Sequence, residues 1–206
     1  QSQISLMRKV LPLFLLFFCL QSFAQKEANF WYFGQNAALD FNSGAPLPTG
    51  SATDNQLNTV EGCSTFSDPD GNLLFYIGAP SPVAANLTIW NRNNEPMPFA
   101  DVANGGQLLN GDASSSQSAL TVPAPNNPNI YYIFTVGAQS SGNAGFWFYT
   151  VDMSADGGLG DVVAGPIALN NGTPLPVWSE KVTAVRGLDC NTFWVVSFVQ
   201  GNFIAY

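Results

Sequence analysis

Apolar residues run unbroken only once in this chain, from Val10 to Leu20; elsewhere they come in short bursts. The bursts are aromatic or β-branched: Phe30–Phe33, Leu73–Ile77, Leu87–Trp90, Ile130–Val136, Phe146–Val151 and Phe193–Phe198. Gly, Asn, Asp and Pro punctuate them about every 8–12 residues, and no segment after the first run keeps a helical period. Runs this short and this rich in rings and β-branched side chains predict strands rather than buried helices. The chain reads as all-β.

A repeat lies beneath the pattern. Glu61–Phe66, Gln117–Val122 and Glu180–Val185 are each a polar residue followed by a small, β-rich strand, with starts roughly 60 residues apart. Each leads through a turn (68–72, 123–129, 187–191) into an aromatic strand, and a third strand follows. In the first two units a weaker outer strand is expected after a hairpin turn, over Pro96–Val102 and Asp161–Leu169. Repeated four-stranded antiparallel units are the build of a β-propeller, here about three blades of an array truncated at its C-terminus. A β-sandwich uses similar strands but has no reason to repeat this order three times. The segments Phe30–Phe33, Ala37–Phe41 and Ala45–Thr49 resemble the last three strands of a further blade without its innermost one. Residues 25–206 are therefore expected to be a partial propeller domain, the front of a longer product.

The exceptional run changes the picture of where the protein resides. Arg8 and Lys9 precede it and Ser22-Phe23-Ala24 follow, so residues 1–24 are expected to be upstream residues plus a secretory signal peptide starting at Met7. The run is shorter than the roughly 20 residues of a membrane span, and no transmembrane segment is expected. The protein is thus expected to be secreted or held at the cell surface. The whole chain has 6 basic and 14 acidic residues. With Arg8 and Lys9 assigned to the leader, the folded part is more acidic still, which argues against nucleic acid as a partner. There is no histidine, which excludes histidine-based triads and histidine-ligated metals. In an oxidising compartment Cys63 and Cys190 can pair; two buried thiols are the alternative.

Asn29–Phe41 (Asn-Phe-Trp-Tyr-Phe-Gly-Gln-Asn-Ala-Ala-Leu-Asp-Phe) resembles the opening of large secreted Bacteroidota proteins described as gliding-motility-associated or PKD-domain proteins. Leu57–Cys63, Ile89–Arg92, Gly111–Ser118, Val151–Gly160 and Glu180–Val185 are similar to later motifs of the same family. The resemblance implies a propeller-like N-terminal region, adhesive domains behind it and, for the full protein, export by the type IX secretion system. It carries no catalytic residues.

Candidate chemistry follows from the repeat. Glu61, Gln117 and Glu180 hold equivalent places just before each innermost strand, positions that ring one mouth of a propeller channel. Two carboxylates and an amide there suit a cation or sugar hydroxyls; the alternative is that each satisfies backbone groups at a strand entrance. Trp178, in the Pro-rich loop before Glu180, is the tryptophan expected to be exposed for ligand contact. Trp31, Trp90, Trp147 and Trp194 fall inside strand patterns and are expected in the core between blades. Asp152, Asp156 and Asp161 flank a glycine-rich turn, so calcium is the one cofactor left open; the glycines are equally explained by turn geometry. Asp68–Asn72 lacks later ligands of a calcium loop and reads as a hairpin turn. Ser114–Ser116 beside Asp112 reads as a polar loop rather than a nucleophile site, since no histidine can act as base. The functional expectation is a non-enzymatic interaction module of an adhesin-like protein, with a glycan, an extracellular polymer or a surface protein as partner. The alternative is a carbohydrate-active enzyme using Glu61 and Glu180.

Overall fold

The computed structural model describes residues 26–48, 55–139, 145–169, 178–189 and 191–206. The expected leader and Cys190 lie outside the described residues. Among the described residues thirteen strands form four small antiparallel sheets, each a meander in which sequence neighbours pair. The first sheet holds β1 (Phe30–Phe33), β2 (Ala37–Asp40) and β3 (Leu47–Pro48). The second holds β4 (Ser64–Ser67), β5 (Leu73–Gly78) and β6 (Thr88–Asn91). The third holds β7 (Ala119–Pro123), β8 (Ile130–Val136), β9 (Phe146–Asp152) and β10 (Asp161–Ala168). The fourth holds β11 (Trp178–Arg186), β12 (Phe193–Val199) and β13 (Asn202–Ala205).

Alternation along the aromatic strands explains how the sheets stack. On β8, Tyr131 and Ile133 enter a core shared with Phe75, Ile77 and Ile89 of the second sheet. Phe134 and Val136 of the same strand face Trp178, Val182, Val195 and Val199 of the fourth. Tyr32 of β1 meets Tyr76 and Trp90 of the second sheet in a third cluster. The sheets therefore stack face to face in sequence order, with an apolar layer at each junction. Their first strands stand beside one another: the Ser64 hydroxyl of β4 lies 3.2 Å from that of Thr121 in β7.

The β4–β5 hairpin closes as its sequence dictates. The Asp68 carboxylate accepts from the amides of Asp70 and Asn72, both at 2.9 Å, and Gly71 adopts φ +90°, a left-handed value that favours glycine. Gly165, at φ +112°, answers a steric demand: a Cβ there would lie 2.8 Å from the Phe148 carbonyl oxygen.

Among the described residues four strands per sheet is realised in the third sheet alone. The outer strand expected over Pro96–Val102 is replaced by two 3₁₀ turns, Pro98–Ala100 and Val102–Asn104. The chain leaves β6 beside it, making an isolated bridge between Trp90 and Pro96 and a 3.0 Å bond from the Met97 amide to the Ile89 carbonyl. Pro96 and Pro98 have no N–H to extend a ladder, and Pro98 suits the first position of a turn of helix. Asp101 then fixes the second turn by accepting from the Asn104 amide.

Candidate functional site

Two of the three polar residues expected before the first strands, Gln117 and Glu180, act on the neighbouring sheet, and Glu180 lies within β11 rather than ahead of it. Gln117 reaches forward, its side-chain oxygen accepting from the Val182 amide of β11 at 3.0 Å. Glu180 reaches back: one carboxylate oxygen accepts from the Ser116 amide and hydroxyl, both at 3.3 Å, and the other from the Gln139 amide at 2.9 Å. The two sheets thus exchange acceptors across their junction, a reciprocal clasp resembling the capping box of a helix. Glu61 is exposed at the preceding junction, where Gly62 donates its amide to the Ser115 carbonyl at 3.3 Å. A Cβ on Gly62 would lie 2.7 Å from that carbonyl and against the Ser118 amide, so the backbones meet there directly. Gln117 and Glu180 come together at one junction, satisfying backbone donors, and Glu61 belongs to another.

Trp178 is not on an exposed rim. It is 1% exposed, stacks on Phe146 with ring centroids 5.4 Å apart, and donates its indole N–H to the Ser197 hydroxyl at 3.1 Å. As the first residue of β11 it faces the third sheet together with Val182. The core expectation for the other tryptophans is met by Trp90, at 3% exposed, but not by Trp31 and Trp194, at 51% and 54%.

The acids expected to offer calcium are engaged separately. The Ser154 hydroxyl and amide, 2.6 and 2.8 Å from the Asp152 carboxylate, hold that carboxyl below the usual range. Asp161 accepts from the amides of Phe99 and Val162, tying the first 3₁₀ turn to β10. Asp156 is exposed, with φ +47°. Among the described residues no group of three or more acidic or cysteine side chains is placed to hold a metal ion. Cys63 is a free thiol that donates to the Tyr32 carbonyl at 3.3 Å, and burial pushes its pKa up.

A groove of about 1120 Å³ runs where the far ends of the first strands meet. Its walls come from β4 (Ser64–Phe66), β7 (Leu120–Pro123) and β11 (Ala184 and Arg186), and its rim from the turns at Asp68 and 126–129. Apolar side chains dominate the wall, and its charged lining residues are Glu27, Asp68 and Arg186. Glu27 and Asp68 stand towards the first two sheets, and burial together with these two carboxylates raises the pKa of the Tyr131 phenol between them and the third sheet. Arg186 stands on the fourth sheet, its guanidinium 5.6 Å from the centre of the Phe193 ring. Partial burial opposes the charge on Asp68, but bonds from the Asn72 side chain and from the Asn72, Asp70 and Gly71 amides lower its pKa overall. Neither Glu61 nor Glu180 lines the groove.

The groove lies at the strand exits, away from the polar residues at the strand entrances. The alignment that pairs Gln117 with Glu180 also pairs Pro123 with Arg186 at the strand exits, and both line the groove. The chain matches no family model, and neither the curated proteins nor the solved structures provided a match. Among the described residues no helix is long and apolar enough to cross a membrane.

Proposed function

We propose that the chain is a propeller-like interaction module of a secreted or cell-surface protein, binding its partner in the groove across the first strands without catalysing a reaction. The blade reading is supported by sheets stacked in sequence order with first strands side by side, the edges that line a propeller axis. Export is supported by the leader pattern and by the resemblance to secreted Bacteroidota proteins. The observation that carries the binding reading is the groove itself: an open, mostly apolar trough whose charged lining residues are Glu27 and Asp68, with Arg186 on the fourth sheet. Such a trough suits an extended ligand, a glycan chain or a segment of a surface protein, in which apolar faces alternate with polar groups. The enzymatic alternative draws no comparable support, because both oxygens of Glu180 accept hydrogen bonds from the neighbouring sheet.

A glycan array with the full chain, repeated with and without a calcium chelator, tests the proposal. Arg186→Ala should weaken binding by about tenfold, the effect of losing a charged anchor, while Glu61→Gln leaves it unchanged. Binding that ignores Arg186→Ala but falls with Glu61→Gln would return the site to the strand entrances. Loss on chelation would make calcium part of the site.

A further inference from the structure

Three polar side chains of the groove gather in one corner, and two of them have hydrogen-bonding capacity to spare. The Ser67 amide donates to the Glu27 carbonyl at 3.0 Å, which holds Glu27 alongside the end of β4, next to the Asp68 turn. The Glu27 Oε2 atom is buried and has no hydrogen-bond partner among the described residues. Tyr131 of β8 is 5% exposed and meets the Phe66 ring edge-on, with centroids 5.1 Å apart. Its phenol lines the groove and makes no hydrogen bond among the described residues. The charges of Asp68 and Glu27 both act on that phenol, so the three groups are close enough to serve one ligand group.

A buried oxygen left without a donor is costly, and a ligand that supplies the donor recovers the loss. Here the oxygens are two carboxylates and a phenol beside aromatic rings, and no lysine or arginine of the described residues bonds to either carboxylate. A guanidinium or ammonium meets every requirement. It carries N–H donors in several directions, its charge opposes the carboxylates, and it tolerates contact with a ring. Calcium suits the corner less well, since it takes about 6–8 oxygen ligands and the Asp68 oxygens already accept from Asp70 and Asn72.

The backbone around the corner indicates what carries the cation. Strands β4, β7 and β11 each end their sheet and pair on one edge only, and all three line the groove. An extended polypeptide presents N–H and C=O groups at strand spacing to such edges, a pattern that a glycan lacks. The chain's balance of 14 acidic to 6 basic residues also draws a basic segment towards it. We propose that the groove takes an extended segment of a partner protein, with an arginine or lysine side chain of that segment held by Glu27, Asp68 and Tyr131. This rests on the groove being the binding site and specifies its occupant.

An array of capped peptides with one central arginine and randomised flanks, probed with the full chain, tests this. The comparison is the same array with citrulline, which keeps the shape of arginine and loses its charge. Arginine peptides should bind about tenfold more tightly than their citrulline counterparts. Glu27→Gln, with folding checked by circular dichroism, should remove that advantage and leave citrulline peptides unchanged. Tyr131→Phe deletes a hydroxyl that has no partner in the free protein, so it should weaken arginine-peptide binding by about threefold without lowering Tm. Equal binding of arginine and citrulline peptides that falls with Arg186→Ala would overturn the cation site and leave the groove reading standing. Glycans that bind where no peptide does, with the same response to Arg186→Ala, would do likewise. Arginine-peptide binding that ignores Glu27→Gln, Tyr131→Phe and Arg186→Ala alike would sink both readings. Loss of arginine-peptide binding on adding a chelator would put a metal ion between the carboxylates and overturn the proposal.

Discussion

Trp178 is the largest side chain that the described fold buries completely, and its surroundings leave it little freedom. One face lies on Phe146, and the indole N–H is bonded to Ser197, whose hydroxyl in turn donates to the Lys181 carbonyl at 2.8 Å. Trp178→Ala should lower unfolding free energy by about 3–5 kcal/mol, the range for emptying a core aromatic site. Trp178→Phe, which keeps the stack and leaves the Ser197 hydroxyl without its donor, should cost less; urea unfolding of the two variants would rank them. The sequence places Trp178 in a loop because a Pro-rich segment precedes it, whereas β11 begins at Trp178 itself. On β12, Val195, Ser197 and Val199 turn inward and Trp194 outward, a facing that a continuous run of apolar residues does not specify.

At the scale of elements, turns and aromatic strands were written locally, and the ties between sheets were not. The Asp68–Asn72 turn follows from residues within five positions, whereas the Gln117–Val182 bond spans 65. The outer element at Pro96–Val102 failed for a local reason: two prolines remove the donors a fourth strand would need. Glu180 offers the sharpest test of the inter-sheet ties. Glu180→Ala removes an acceptor from three donors, and because the site is partly exposed the loss should be about 1–2 kcal/mol. Hydrogen exchange at the Ser116 and Gln139 amides should quicken more than at β5, two sheets away.

For the whole molecule, tyrosines placed in the apolar layers couple stability to alkaline pH. Burial pushes the Tyr149 phenol up to about 12, although the Asn110 amide donates to its oxygen, and burial raises Tyr76 and Tyr131 as well. A phenol raised in the folded state is bound to its proton more tightly there than in the unfolded chain. Its contribution is therefore fully present below about pH 10 and lost as pH climbs towards about 12. Thermal melts across that window should show Tm falling, with tyrosinate absorbance appearing together with unfolding; buried phenols that ionise in an intact fold would contradict this. The stacked sheets also bear on how such a protein changes in size. In the clasp between Gln117 and Glu180 each sheet contributes one half from the residues at its own first strand, and neither half registers how many sheets lie beyond. At the preceding junction Glu61 is exposed and the Gly62 amide meets the Ser115 carbonyl instead, so each junction is closed by its own chemistry, and a duplicated sheet would meet its neighbour without a ready-made clasp.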